Sequence, residues 1–182
     1  MKPTQILLDM DGVLADFFTS ALKALNANSK RDPITPQQYV EKQEFAMDKV
    51  FNITASKFWQ TIETNDFWQN LKPMEHADNL LSYLRMFKIP IVIASSPSFH
   101  STCIPSKVAW LYHYYGIRVT DCMFGSKKYL MAKPGTLLID DSQKNIDNFI
   151  HHEGQAVCIP SNWNTHNLTF ADIQSKISPF FT

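Results

Sequence analysis

The stretch Ile6-Leu7-Leu8-Asp9-Met10-Asp11-Gly12 limits this chain more than any other. A short apolar run bounded by turn residues reads as a buried strand. Asp9 then stands at its carboxyl end, where open α/β sheets place their ligands. Side chains alternate along an extended segment, so Asp9 and Asp11 face the same side. Gly12 lets the chain turn away at once. Two carboxylates held that close point to metal or phosphate chemistry.

Two more apolar runs end in polar residues. Ile89-Pro90-Ile91-Val92-Ile93-Ala94 leads into Ser95-Ser96-Pro97, and Thr136-Leu137-Leu138-Ile139 leads into Asp140-Asp141. A proline near a strand start is tolerated. Helical patterns separate the strands: Ala15 to about Asn26, His76 to Lys88, Pro105 to Tyr115, and Gln143 to His152. In the last of these Ile146, Phe149 and Ile150 are expected to face inward. Val119 to Phe124 and Ala156 to Ile159 are shorter strand candidates, and Phe170 to Ile177 a final helix. Alternating strands and helices predict an α/β fold with a parallel sheet flanked by helices.

Residues 17–74 break this alternation. They show no clear strand and carry Phe45, Phe51, Phe58, Trp59, Phe67 and Trp68. The expected organisation is a discontinuous core, 1–16 plus 75–182, with a small helical unit of 17–74 inserted after the first strand.

In a parallel sheet the three polar strand ends share one edge. That edge gathers up to four carboxylates and two serine hydroxyls, and Lys127 and Lys128 precede the third strand. Crowded carboxylates repel, and a divalent cation is the simplest way to keep them ionised. An all-oxygen ligand set suits Mg²⁺. A remaining carboxylate can attack phosphorus, and its neighbour can move the protons. A hydroxyl and an ammonium can hold the other phosphate oxygens. The start Asp-x-Asp also opens calcium EF-hand loops. Here Gly12 falls at position four and Ser20 at position twelve, which excludes one.

Composition narrows the partners. The 182 residues carry 17 basic and 17 acidic side chains, so no basic surface favours polymeric nucleic acid. Cys103, Cys122 and Cys158 have neither metal-like nor redox-like spacing and read as reduced core thiols. No leader or bilayer-spanning run is recognisable, so a soluble cytoplasmic protein without a membrane partner is expected. A homodimer is compatible with this reading.

The constellation resembles the haloacid-dehalogenase (HAD) superfamily of phosphohydrolases. Asp9-Met10-Asp11-Gly12-Val13 is similar to its first motif, Ser95 to its second, a lysine to its third and Asp140-Asp141 to its fourth. Within it the chain most resembles the 5'(3')-deoxyribonucleotidases and their bacterial and phage relatives. The resemblance rests on the run from Asp9 to Phe17, on Ser95-Ser96-Pro97, on Ala132-Lys133-Pro134-Gly135 and on Leu137 to Asp141.

The resemblance implies a HAD-type, Rossmann-like core with a helical cap. It implies Asp9 as nucleophile and Asp11 as acid/base. It also implies a Mg²⁺ held by Asp9, the Asp11 backbone carbonyl and Asp141, with Asp140 supporting. Ser95 and Ser96 would hold phosphate with a lysine. Lys128 best matches the family spacing, and Lys127 and Lys133 are close rivals. Phe17 and the cap's Trp59 would line a nucleobase, whereas Phe45, followed by Ala46 and Met47, departs from the family pattern. The implied reaction is hydrolysis of (deoxy)nucleoside monophosphates. The alternatives are a HAD phosphatase for another small phosphate ester and a non-catalytic nucleotide-binding protein.

Overall fold

In the computed structural model, residues 1–42, 44–62, 66–163, 165 and 169–182 are described. Five strands form one sheet: β1 (Gln5–Leu8), β2 (Ile91–Ser95), β3 (Cys122–Phe124), β4 (Thr136–Asp140) and β5 (Gln155–Cys158). Their order is β3-β2-β1-β4-β5, and every pairing is parallel. Parallel sheets are covered on both faces, which is why β1 and β4 are almost wholly apolar and buried. The connections turn from one side of β1 to the other between β3 and β4. The crevice between β1 and β4 is therefore the switch point, where such folds bind ligands. This is the expected Rossmann-like α/β architecture.

The helices are α1 (Phe17–Asn28), α2 (Pro36–Val40), α3 (Met47–Phe51), α4 (Ala55–Ile62), α5 (Ala77–Met86), α6 (Cys103–Tyr115), α7 (Gln143–His151) and α8 (Phe170–Ile177). Asp16 caps α1 by accepting from the Thr19 amide at 3.1 Å. Thr35 and Gln38 form a capping box on α2, with Pro36 in its first turn. Gly116 ends α6 in the left-handed conformation.

Two places differ from the sequence reading. Val119–Asp121 is a turn of 3-10 helix, and the strand is only Cys122–Phe124. Ile150 is 54% exposed, because α7 meets the sheet through Ile146 and Phe149 and leaves Ile150 on its flank.

The helical insert builds its own apolar cluster. Phe18, Ala21, Leu22, Leu25, Tyr39, Met47, Phe51, Phe58 and Ile62 pack together. Trp68, Leu71 and Met74 instead join the cluster beneath the sheet. Entry and exit lie side by side: the Asp16 amide donates to the Lys72 carbonyl at 2.7 Å, and the Met74 amide to Leu14 at 2.8 Å. The insert therefore stands directly above the loop that carries Asp9 and Asp11.

Candidate active site

The loop after β1 is a tight turn built on one carbonyl. The Met10 oxygen accepts from the amides of Val13, Leu14 and Ala15. Gly12 has φ +79°, and a Cβ there would lie 2.2 Å from Asp141 Oδ2, so the fourth-motif carboxylate packs directly on glycine. Asp9 is fixed by its own chain, since the Met10 amide donates to Asp9 Oδ1 at 2.8 Å.

Asp9, Asp140 and Asp141 each offer an oxygen within 4.8 Å of the others, and all three are buried. Lys128, buried as well, lies 2.7 Å from Asp9 Oδ1 and 2.6 Å from Asp140 Oδ2. Of the three lysines open in the sequence, Lys128 is the one brought to the carboxylates. Asp140 is further held by the Ser142 amide at 2.9 Å and by Asn145 Nδ2 at 3.0 and 3.1 Å. It therefore anchors Lys128 over Asp9.

Burial raises the Asp9 carboxyl well above the usual range, and the Asp140 charge adds to this; Lys128 opposes it. Asp141 is pushed up to about 7 by burial and by Asp140, against the pull of its hydrogen bond from Trp163. Burial alone would lower Lys128, but Asp9 and Asp140 outweigh it and hold the ammonium charged. Among the described residues, the three clustered carboxylates thus have one ion-paired ammonium, Lys128, which reaches Asp9 and Asp140. A hard divalent cation with oxygen ligands suits that imbalance.

The Asp11 side chain goes elsewhere. Its Oδ2 is ion-paired with Lys107, a residue of α6. Lys107 also donates to Ser95 Oγ at 2.8 Å and to the Ser96 carbonyl at 2.9 Å. Sequence reasoning missed Lys107. The available signal was a charge within the buried stripe of α6, four residues after Cys103 and four before Leu111. Trp163 was missed too. Its indole donates to Asp141 Oδ2 at 3.0 Å, and its ring meets Phe45 edge-on at 5.1 Å. It sits in the loop after β5, where no periodicity marks it.

Above the carboxylates opens a cavity of about 670 Å³, within the usual range for small-molecule sites. Asp9, Asp11, Ser96, Lys128 and Asp141 lie along it, with Phe17, Trp59, Phe45 and Trp163 among its aromatic lining. Phe17 stacks on Trp68 at 5.6 Å and is tilted against Trp59 at 6.5 Å. The apolar side is thus supplied mainly by the insert and the polar side by the strand ends.

Residues 2–176 match the model of the family described as 5' nucleotidase, deoxy (pyrimidine), cytosolic type C protein. The chain belongs to that family. Membership makes it a hydrolase, a phosphatase of the deoxyribonucleotidase kind. A Bordetella pertussis protein named "Putative 5'(3')-deoxyribonucleotidase" is 30% identical over 139 residues, covering 75% of this chain and 73% of that one. Among solved structures, a haloacid dehalogenase-like protein from Agrobacterium tumefaciens superposes with TM-score 0.63 at 15% identity, over 86% of this chain and 82% of that one. A HAD hydrolase of family IA from Entamoeba histolytica gives 0.57 at 14%, over 96% and 89%. Such distant likenesses establish a HAD-like fold. Among the described residues no helix is long and apolar enough to cross a membrane.

Proposed function

We propose that this nucleotidase-family enzyme is a Mg²⁺-dependent cytoplasmic phosphomonoesterase that dephosphorylates (deoxy)nucleoside monophosphates through an aspartyl-phosphate. The observation that carries the reading is Asp9. It lies at the switch point beneath an aromatic-lined cavity, with Lys128 on one oxygen and a second aspartate two residues on.

In this reading Asp9 attacks phosphorus and the phosphoryl group passes to its carboxylate. Asp11 gives a proton to the departing sugar oxygen, then takes one from the water that cleaves the aspartyl-phosphate. Lys128, Ser95 and Ser96 bind the phosphoryl oxygens and stabilise their charge. Asp9, the Asp11 carbonyl and Asp141 would hold Mg²⁺, with Asp140 supporting. The ion would let the crowded carboxylates stay ionised beside a phosphate dianion. Residues 17–74 serve as a cap, and Phe17 and Trp59 as walls for the nucleobase.

Phosphate release from a panel of nucleoside and deoxynucleoside 5'- and 3'-monophosphates, with and without Mg²⁺, tests the proposal. Metal-dependent release from nucleotides is expected. Release from sugar phosphates together with none from any nucleotide would assign the site to another small phosphate ester.

A further inference from the structure

The buried face of α6 contains a lysine where an apolar residue is expected. Lys107 is 0% exposed and sits among Cys103, Trp110 and Leu111. A buried ammonium is tolerated only when its protons find acceptors. All three do: Asp11 Oδ2, Ser95 Oγ at 2.8 Å and the Ser96 carbonyl at 2.9 Å. Its head also lies 4.5 Å from the Trp68 ring centroid.

The donor inventory makes this arrangement directional. Lysine has no acceptor, so Ser95 Oγ must accept from it, and the Ser95 hydroxyl in turn donates to Asp11 Oδ2 at 3.5 Å. Asp11 is held by Oδ2 alone. Its Oδ1 is buried and has no hydrogen-bond partner among the described residues. Both contacts to the Asp11 carboxylate, from Lys107 and from Ser95, thus converge on Oδ2, and Asp11 lines the cavity beside Asp9.

We propose that Lys107 is a positioning residue for proton transfer. It holds the Asp11 carboxyl at the cavity wall beside Asp9, where it can meet the reacting oxygen. This rests on the reading of Asp11 as acid/base given above. In the first step an Asp9 oxygen bonds to phosphorus, the bond from phosphorus to the ester oxygen breaks, and that oxygen takes the proton from the Asp11 carboxyl. In the second step a water oxygen bonds to phosphorus, the Asp9 oxygen departs, and the water's proton returns to Asp11. Lys128 serves Asp9 and Asp140, whereas Lys107 serves Asp11, so the two buried lysines divide the two halves of the chemistry.

Leaving groups separate this role from mere packing. The phenolate of p-nitrophenyl phosphate departs without protonation, whereas a nucleoside alkoxide does not. Lys107→Met should slow the first turnover of a deoxynucleoside monophosphate about 100-fold or more, the scale of a lost general acid. It should slow the first burst of p-nitrophenol no more than about threefold, because that step spends little on proton transfer. Steady-state p-nitrophenol release should fall along with nucleotide turnover, since the second step still needs the base. Equal first-turnover losses on both substrates, or no loss on either, would overturn the proposal. If Lys107→Met does not fold, the pair Asp11→Asn and Asp11→Asn/Lys107→Met removes the charge imbalance. The added substitution should then cost nothing further on the nucleotide, and a further loss of about tenfold or more would overturn the proposal. If the wild-type enzyme ignores nucleotides, a simple alkyl phosphate takes their place. The substrate reading then fails while the role of Lys107 is still decided.

Discussion

Trp163 donates its indole hydrogen to Asp141 Oδ2 at 3.0 Å, and the same ring packs against Phe45 of the insert. A carboxylate of the acidic cluster is thereby oriented by a residue that also touches the helical unit above it. Groups that orient metal ligands typically change affinity 10- to 100-fold when lost. Trp163→Phe keeps the aromatic contact and removes the donor. Its Mg²⁺ affinity, measured by calorimetry, should fall about tenfold or more. An unchanged affinity would show that Asp141 needs no such support.

The ion pair of Asp9 and Lys128 is asymmetric. Asp9→Asn should abolish phosphate release and leave the fold intact, because Lys128 keeps Asp140 at 2.6 Å. Lys128→Met removes the ammonium paired with Asp9 and Asp140 and should cost roughly 3–5 kcal/mol, the scale for breaking a buried pair. Urea unfolding of the two variants checks the contrast.

The acidic cluster also sets the pH response of protein stripped of metal with EDTA. Burial and mutual repulsion raise Asp9, and raise Asp141 to about 7 from an ordinary value of 3.8. Between those values the folded state holds a proton that the unfolded chain has released. The resulting stability is complete below about pH 4 and is lost as pH rises through 7. Buried His76, lowered by desolvation, works in the opposite sense, so the comparison needs a reference variant. Melting temperatures of wild type and Asp141→Asn should lie closest near pH 4 and separate as pH rises. At pH 8 the wild type should fall behind, and Mg²⁺ should restore it. A gap independent of pH would contradict the assignment.

Gly12 is the steric floor of the site. Alanine there must adopt φ near +79° and would place its methyl 2.2 Å from Asp141 Oδ2. The backbone term alone is about 1–2 kcal/mol. Gly12→Ala should therefore lower the melting temperature and, by displacing Asp141, weaken Mg²⁺ binding in calorimetry. Loss of stability with unchanged metal affinity would mean that Asp141 does not bind the ion.

The strand ends were legible because buried parallel strands read as uninterrupted apolar runs. Ile6-Leu7-Leu8, Ile91-Val92-Ile93 and Leu137-Leu138-Ile139 could be placed without knowing their neighbours. Topology then carried Asp9, Ser95 and Asp140 to one edge. Ile150 was harder. It follows Ile146 at helical spacing, but the roll of α7 on the sheet depends on Phe149 filling the space beneath Gly154, where a Cβ would come within 2.3 Å of the ring.

What the chain order determined by itself is the fold class and the acidic edge, since both follow from local periodicity and from the rule that parallel strands align their carboxyl ends. Tertiary structure alone decided which lysine meets which carboxylate. Lys128 and Lys107 are 119 and 96 residues beyond Asp9 and Asp11, and neither sits in a motif that names its partner. Their pairing depends on how α6 and the turn before β4 pack against the ends of β1 and β2. A buried charge takes whatever partner that packing brings within reach, and local sequence carries no record of the distance.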